Sequence, residues 1–167
     1  AAKADVVPFA VDAWADVDEH AAAPAAAGLP ASFAYLPNQF WVHKNHALVL
    51  RAWHELARSG TRIPLVCTGA AGDHRRPDHY ASLQARVDEW SLRDLVRFLG
   101  VVPRAEQLAL YRSAAFVLQP SLFEGWSTSV EEARSLGRRV LASDIPVLRE
   151  QAPEGTLFFD PRQAAAL

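Results

Sequence analysis

The stretch "AAFVLQPSLFEGWSTSVEEARSLG", Ala114 to Gly137, passes from an apolar run through a polar cluster into a helical pattern. "AFVLQPS" reads as a buried strand and "STSVEEARSLG" as a helix, closed by Gly137 where left-handed backbone is needed. Helix entry accounts for part of the polar cluster. Thr128 and Glu131 form a T-x-x-E capping box, and Ser129 with Glu132 offers a second frame. Acidic residues in a first turn also complement the helix dipole, each by a few tenths to roughly 1 kcal/mol. Only one frame operates at a time, so with Thr128 as cap Glu132 is left over. Glu124, after the strand and before Gly125, is explained by neither frame.

The same alternation continues in both directions. Strands are expected at "SFAYLPN", "RIPLVCTG", "LVRFLG", "AFVLQPS", "RRVLASD" and "GTLFFDP". Helices are expected between them, at "NHALVLRAWHELARSG", "PDHYASLQARVDEWSL", "RAEQLALYRSA", "STSVEEARSLG" and "IPVLREQA". No Asn-Gly hairpin signal interrupts the series. The pattern predicts an α/β fold, a parallel sheet with helices on both faces. "ADVVPFAV" is a possible earlier strand, and the Ala/Pro-rich "DAWADVDEHAAAPAAAG" a linker or excursion. This divides the chain into a linker over 1–30 and a domain over 31–167, with "RQAAAL" at the end reading as the opening of a further helix.

Composition narrows the function classes. The chain has 167 residues, half of them hydrophobic, and a formal charge of −2, which gives no basic footprint for nucleic acid. No apolar run approaches the roughly 20 residues of a membrane span. The single cysteine, Cys67, excludes an internal disulfide and speaks against a structural zinc site; a reducing cytoplasm is the expected compartment. There is no methionine, so an excised segment is expected.

In such sheets ligands bind beyond the carboxyl ends of the strands. "PNQFWVHKN", "TGAAGDHRRPD", "GVVPRAE", "PSLFEGWSTS" and "SDIP" are therefore the candidate loops. Neither a G-x-G-x-x-G fingerprint nor a Walker-type G-K-[ST] occurs in them. A carboxylate at Glu124 and helix-start N–H groups would share one mouth, suited to sugar hydroxyls and phosphate. Lys44 is one of only two lysines among seventeen basic residues, and a compact point charge suits a phosphate. His43 and His46 are three apart but lack further ligands, so helix entry or ligand orientation suits them better than a metal. His54 reads as a packing residue, Trp41, Trp90 and Phe116 as core or rim, and "GDHRRPDH" as a solvated loop. Ser127 has no triad partners.

From about Ser32 to Asp160 the chain resembles the C-terminal, donor-binding domain of group 1 glycosyltransferases, one Rossmann-like half of the two-domain GT-B fold. The resemblance rests on E-x7-E, Glu124 to Glu132, with "FLGVVPRAEQLALYRSAAFVLQPS" before it and "RRVLASDIPVLRE" and "TLFFDP" after it. It implies retaining transfer from a nucleotide-sugar, UDP- or GDP-linked, without metal or other cofactor. It also implies a missing N-terminal acceptor domain, and membrane association only through missing parts. By the resemblance Glu124 bonds the donor sugar and Glu132 the ribose. Gly125, Trp126, Ser127 and Thr128 face sugar and diphosphate, Val102 meets the base, and Lys44 sits on the diphosphate. The family's usual arginine is replaced by Asn38, leaving Arg104 or the His74–Arg76 run as alternative cations. Its usual glycine-rich sequence after the first glutamate is "GWSTS" here. A non-catalytic sugar-nucleotide-binding module and half of a sugar-nucleotide epimerase are the alternatives.

Overall fold

A computed structural model describes residues 10–13 and 28–167. Six strands alternate with five helices in the expected order. They are β1 (Ala34–Leu36), α1 (His46–Arg58), β2 (Leu65–Thr68), α2 (His79–Glu89), β3 (Val96–Gly100) and α3 (Arg104–Ser113). β4 (Phe116–Gln119), α4 (Thr128–Ser135), β5 (Val140–Ser143), α5 (Pro146–Gln151) and β6 (Leu157–Phe159) complete the series. Of the expected strand at 4–11 only Ala10 and Val11 are described, and they are in no strand; most of the linker over 1–30 lies outside the described residues. Within it, Ala13 is buried and its N–H donates to Ser135 at the end of α4. "RQAAAL" forms a short 3-10 turn, Ala164–Ala166.

The strands pair in parallel, in the order β3-β2-β1-β4-β5-β6. This is the doubly wound Rossmann-like order. Strands such as "LVCT" and "FVLQ" are almost wholly buried, as expected when both faces of a parallel sheet are covered. Alternate side chains feed two cores. Ala34, Leu36, Leu65 and Cys67 pack under α1 and α2, while Tyr35, Val66, Val117 and Val140 pack under α3, α4 and α5. The first two helices therefore lie on one face and the last three on the other. The order in which strands are added reverses between β1 and β4, and the loops leaving these two strands part to opposite faces. A crevice must open there.

Local chemistry sets the loop shapes. Gly69 has φ +147°, and a Cβ there would lie 2.4 Å from the Asn38 carbonyl oxygen, so glycine lets the loops after β1 and β2 touch. Phe40 donates its N–H to Ala70 across that contact. The β1 loop ends in a 3-10 turn, Val42–Lys44, and Asn45 in left-handed conformation starts α1. The Asn45 side-chain amide ties this turn to the Pro120 and Pro161 carbonyls, at 3.0 and 2.9 Å. His54 stacks on Trp90, the packing role expected of it. No helix among the described residues is long and apolar enough to cross a membrane.

His46, in the first turn of α1, is 1% exposed and packs against Phe40. Neither ring nitrogen makes a well-formed hydrogen bond, although the Asn38 backbone lies close enough to favour the charged form slightly. Burial, reinforced by His79 and Lys44, lowers its pKa from 6.5 to about 3. The helix dipole opposes a cation there as well. The unfolded chain then binds a proton that the fold refuses. The neutral-histidine contribution is complete above pH 6.5 and shrinks as pH falls towards 3, by up to about 1.4 kcal/mol per pH unit. We expect Tm to fall more steeply over this window in the native chain than in His46→Phe, read from thermal scans at a series of pH values. Parallel curves would remove His46 from the acid sensitivity.

Candidate functional site

The crevice between β1 and β4 is a cleft of about 440 Å3. Of the nine residues expected at the site, Asn38, Lys44, Val102, Glu124, Trp126, Ser127, Thr128 and Glu132 line it. Gly125 does not; it is exposed beside Glu124, and a Cβ there would meet nothing within 4 Å.

Lys44 comes from the β1 loop and Glu124 from the β4 loop. They form an ion pair at 2.6 Å across the switch point, with side chains 15% and 7% exposed. Glu124 also accepts from Gln119 Nε2 at 2.6 Å, and Gln119 Oε1 accepts from Asn38 Nδ2 at 2.8 Å. Gln119 is fully buried at the end of β4. A chain of bonds therefore runs Asn38–Gln119–Glu124–Lys44 and joins the two loops. Among the described residues both bonds to Glu124 fall on Oε1, which leaves Oε2 to accept from a ligand. One of the two Asn38 amide N–H donors is committed to Gln119.

The cap of α4 differs from both expected frames. Ser127 is the N-cap, and its hydroxyl accepts from Val130 N at 3.3 Å. The helix starts one residue earlier because the Ser127 backbone is itself held from α5. Gln151 Oε1 accepts from Ser127 N at 2.9 Å, and Gln151 Nε2 donates to Ser127 O and to Glu131 Oε1. Glu131 is 1% exposed, paired with Arg134 and spent on structure. Ser129 is also structural, its hydroxyl donating to the Pro37 carbonyl at 3.0 Å and fixing α4 to the end of β1. Thr128 is left exposed on the cleft wall.

Glu132, one residue past Glu131, turns to the cleft and pairs with Arg104 of α3, which also donates to Gln107. Arg104, one of the alternative cations, thus reaches the second glutamate. Beneath Glu132 lie two buried tyrosines, Tyr35 and Tyr111, with ring centroids 5.0 Å apart. Burial, then the nearby Glu132 charge, holds the Tyr111 hydroxyl well above its ordinary pKa, so it remains a donor beside the carboxylate. Tyr35 shares a 2.7 Å bond with Thr68, and burial likewise pushes its pKa up. Trp41, expected in the core or its rim, lines the cleft instead. The "GDHRRPDH" loop is not wholly solvated: Asp73 is buried, holding Val42 N–H at 3.1 Å and Arg75 N–H at 3.0 Å.

Gln119, Gln151 and Tyr111 were not expected at the site. Nothing in local spacing marks them, since each acts on a residue placed by the fold. Among the described residues no group of three His, Cys, Asp or Glu is arranged to hold a metal ion.

An open, parallel, Rossmann-like sheet in this strand order defines a class: one domain of the GT-B glycosyltransferase fold. The model of the family "Glycosyl transferases group 1" matches residues 30–167, and the chain belongs to that family. It is 32% identical over 124 residues to the O-antigen chain mannosyltransferase RfbU of Salmonella typhimurium. That match covers 72% of this chain and 32% of the relative, so the chain spans about a third of that protein's length. Among solved structures, the C-terminal domain of a group 1 family protein (LpcC) from Francisella tularensis has a TM-score of 0.75 at 18% identity. The likeness covers 93% of this chain and 82% of that one. Anabaena Alr3699/HepE, solved with UDP and glucose, has a TM-score of 0.72 at 16% identity, over 85% of this chain and 38% of that one. At these identities the structures establish the fold.

Gln119→Leu tests the bond chain. It orphans the Asn38 donor and removes a donor from Glu124, so we expect a loss of about 1–3 kcal/mol in urea unfolding. Asn38→Leu added to it should cost less than the two singles together, because the orphaned donor is gone. Strict additivity would mean that the two amides act independently.

Proposed function

We propose that this chain is the donor-binding part of a retaining, metal-independent glycosyltransferase that moves a sugar from a UDP- or GDP-linked donor to an acceptor. The carrying observation is one cleft that holds Lys44, Glu124, Glu132 and the start of α4 together. Lys44 and the helix N-terminus face the diphosphate and stabilise the negative charge that develops as the anomeric C–O bond breaks. Glu124 accepts from donor-sugar hydroxyls through Oε2. Its Oε1 already takes two donors, which makes it a poor nucleophile and a good orienting group. Glu132 releases part of its bonding to Arg104 and accepts from the ribose diol. Val102 places the base against backbone, and Trp126 with Thr128 completes the sugar wall. Asn38 acts through Gln119 on Glu124 and supplies no charge to the phosphate.

Because the chain spans about a third of the mannosyltransferase relative, transfer would require further acceptor-binding surface beyond it. The expected activity of this chain alone is nucleotide-sugar binding without efficient transfer. The same relative supports a role in polysaccharide assembly, and the lone buried Cys67 supports a reducing, cytoplasmic compartment. Any membrane association would come from parts beyond this chain. The UDP-bound neighbour supports the donor class.

Calorimetric titration with UDP, GDP and their sugar conjugates tests this reading beside Lys44→Ala and Glu132→Ala. Each variant should weaken binding by 10-fold or more, a loss of about 1.4 kcal/mol, and one base should be preferred. Equal binding by both variants would place the nucleotide elsewhere. Addition of a metal chelator should leave the affinity unchanged.

A further inference from the structure

Beside the donor cleft lies a second concavity of about 350 Å3, walled by Trp41, His43, Asp73, His74, Arg75 and Phe123. The donor reading does not use it. Trp41 lines both hollows, so they share a wall, and Phe123 immediately precedes Glu124. Its volume falls within the roughly 300–1,000 Å3 of small-molecule sites.

Three loops build it and are tied together without a ligand. Leu122 N–H donates to the His43 carbonyl at 2.8 Å, and Trp41 Nε1 to the Gly72 carbonyl at 3.0 Å. Asp73 takes the Val42 and Arg75 N–H groups on its two oxygens, which holds its own pKa low. On this fixed frame Phe123 is 70% exposed, a large ring turned to solvent next to a catalytic-type carboxylate. Burial and the Lys44 charge lower the pKa of His43, so at neutral pH its imidazole is uncharged and both donates and accepts. Arg75 makes no ion pair among the described residues.

Aromatic faces beside uncommitted hydrogen-bonding groups select a ligand type. A hydrocarbon tail would leave the His43 imidazole and Arg75 guanidinium unused, and a bare phosphate would leave Phe123 and Trp41 unused. A hydroxylated six-membered ring satisfies both, its C–H face against aromatic carbon and its hydroxyls towards imidazole and guanidinium. We propose that this pocket is the subsite for the acceptor's terminal polyol ring, sugar or cyclitol, seated beside Glu124. The word acceptor rests on the donor reading above; the ring-binding pocket does not.

Saturation-transfer NMR on the 167-residue chain, with methyl α-mannoside, myo-inositol and glycerol as probes, tests it. Transfer is expected to at least one ring and not to glycerol, and which ring responds separates sugar from cyclitol. Phe123→Ser should weaken it roughly 2- to 10-fold, the value of one stacking contact, and Arg75→Ala should weaken it too. Calorimetry on the same samples should find nucleotide binding unchanged in Phe123→Ser. Absence of transfer to either ring in the folded native chain, or transfer indifferent to Phe123→Ser, would overturn the proposal. Ring binding without nucleotide binding would sink the donor reading and leave the pocket; nucleotide binding alone would sink the pocket.

Discussion

The site depends on how two adjacent parallel strands part company. β1 leads to a helix on one face and β4 to a helix on the other, so their loops diverge and expose a crevice between strand ends. Left open, such a crevice would leave buried polar ends unsatisfied. Here it is spanned by Asn38–Gln119 at its floor and Lys44–Glu124 above, all in low-exposure positions. A buried amide with both ends bonded fixes geometry more firmly than it adds stability, because each group left unpaired would cost more than the bond returns. The glutamate is held in one orientation by neighbours that are themselves held.

The two adjacent glutamates of α4 divide their work by helical geometry. One residue is about 100° of rotation in a helix of 3.6 residues per turn. Glu131 turns to the α5 side, where Gln151 and Arg134 fix the helix entrance. Glu132 turns to the cleft, where Arg104 meets it. Capping and ligand binding are therefore not rival explanations of "STSVEEA". Ser127 caps, Ser129 holds α4 to β1, Glu131 anchors, and Thr128 with Glu132 face the cleft.

Much of this was legible before any coordinates. Element order follows from apolar runs alternating with helical spacing, and loop placement follows from the parallel topology. Glu124 and Lys44 stand out because a carboxylate and a rare lysine at strand ends have no packing reason to be there, and Glu132 because the first capping frame leaves it over. The cap frame was not legible. Thr128 and Ser129 were the expected caps, but neighbouring Ser127 offers equivalent local chemistry, and the choice is made by Gln151, which lies 24 residues from Ser127. Gln119 was hidden for a related reason. At the end of an apolar strand it looks like the last strand residue, and only the register of β1 beside β4 brings Asn38 to it. Trp41 and Asp73 were misjudged because a loop's solvation depends on the loop beside it, and that contact rests on Gly69.

The cleft carries its own charge balance, and this shapes how it can bind. Each glutamate carries its own cation, Lys44 on Glu124 and Arg104 on Glu132. Half-buried carboxylates without those partners would repel one another and any phosphate. With them, the approaching anion meets no net negative wall. On the donor reading proposed above, a diphosphate would compete with Glu124 for Lys44, while ribose or sugar hydroxyls would compensate the carboxylates for whatever share of the cation they give up. Binding of the anionic and the polyol parts would then be coupled through the ion pairs. A nucleotide lacking its sugar would take from Lys44 without returning a donor to Glu124, whereas the intact nucleotide-sugar would do both at once. On that reading Gln119 keeps one donor on Glu124 Oε1 throughout, so the carboxylate would never stand bare while its lysine is shared.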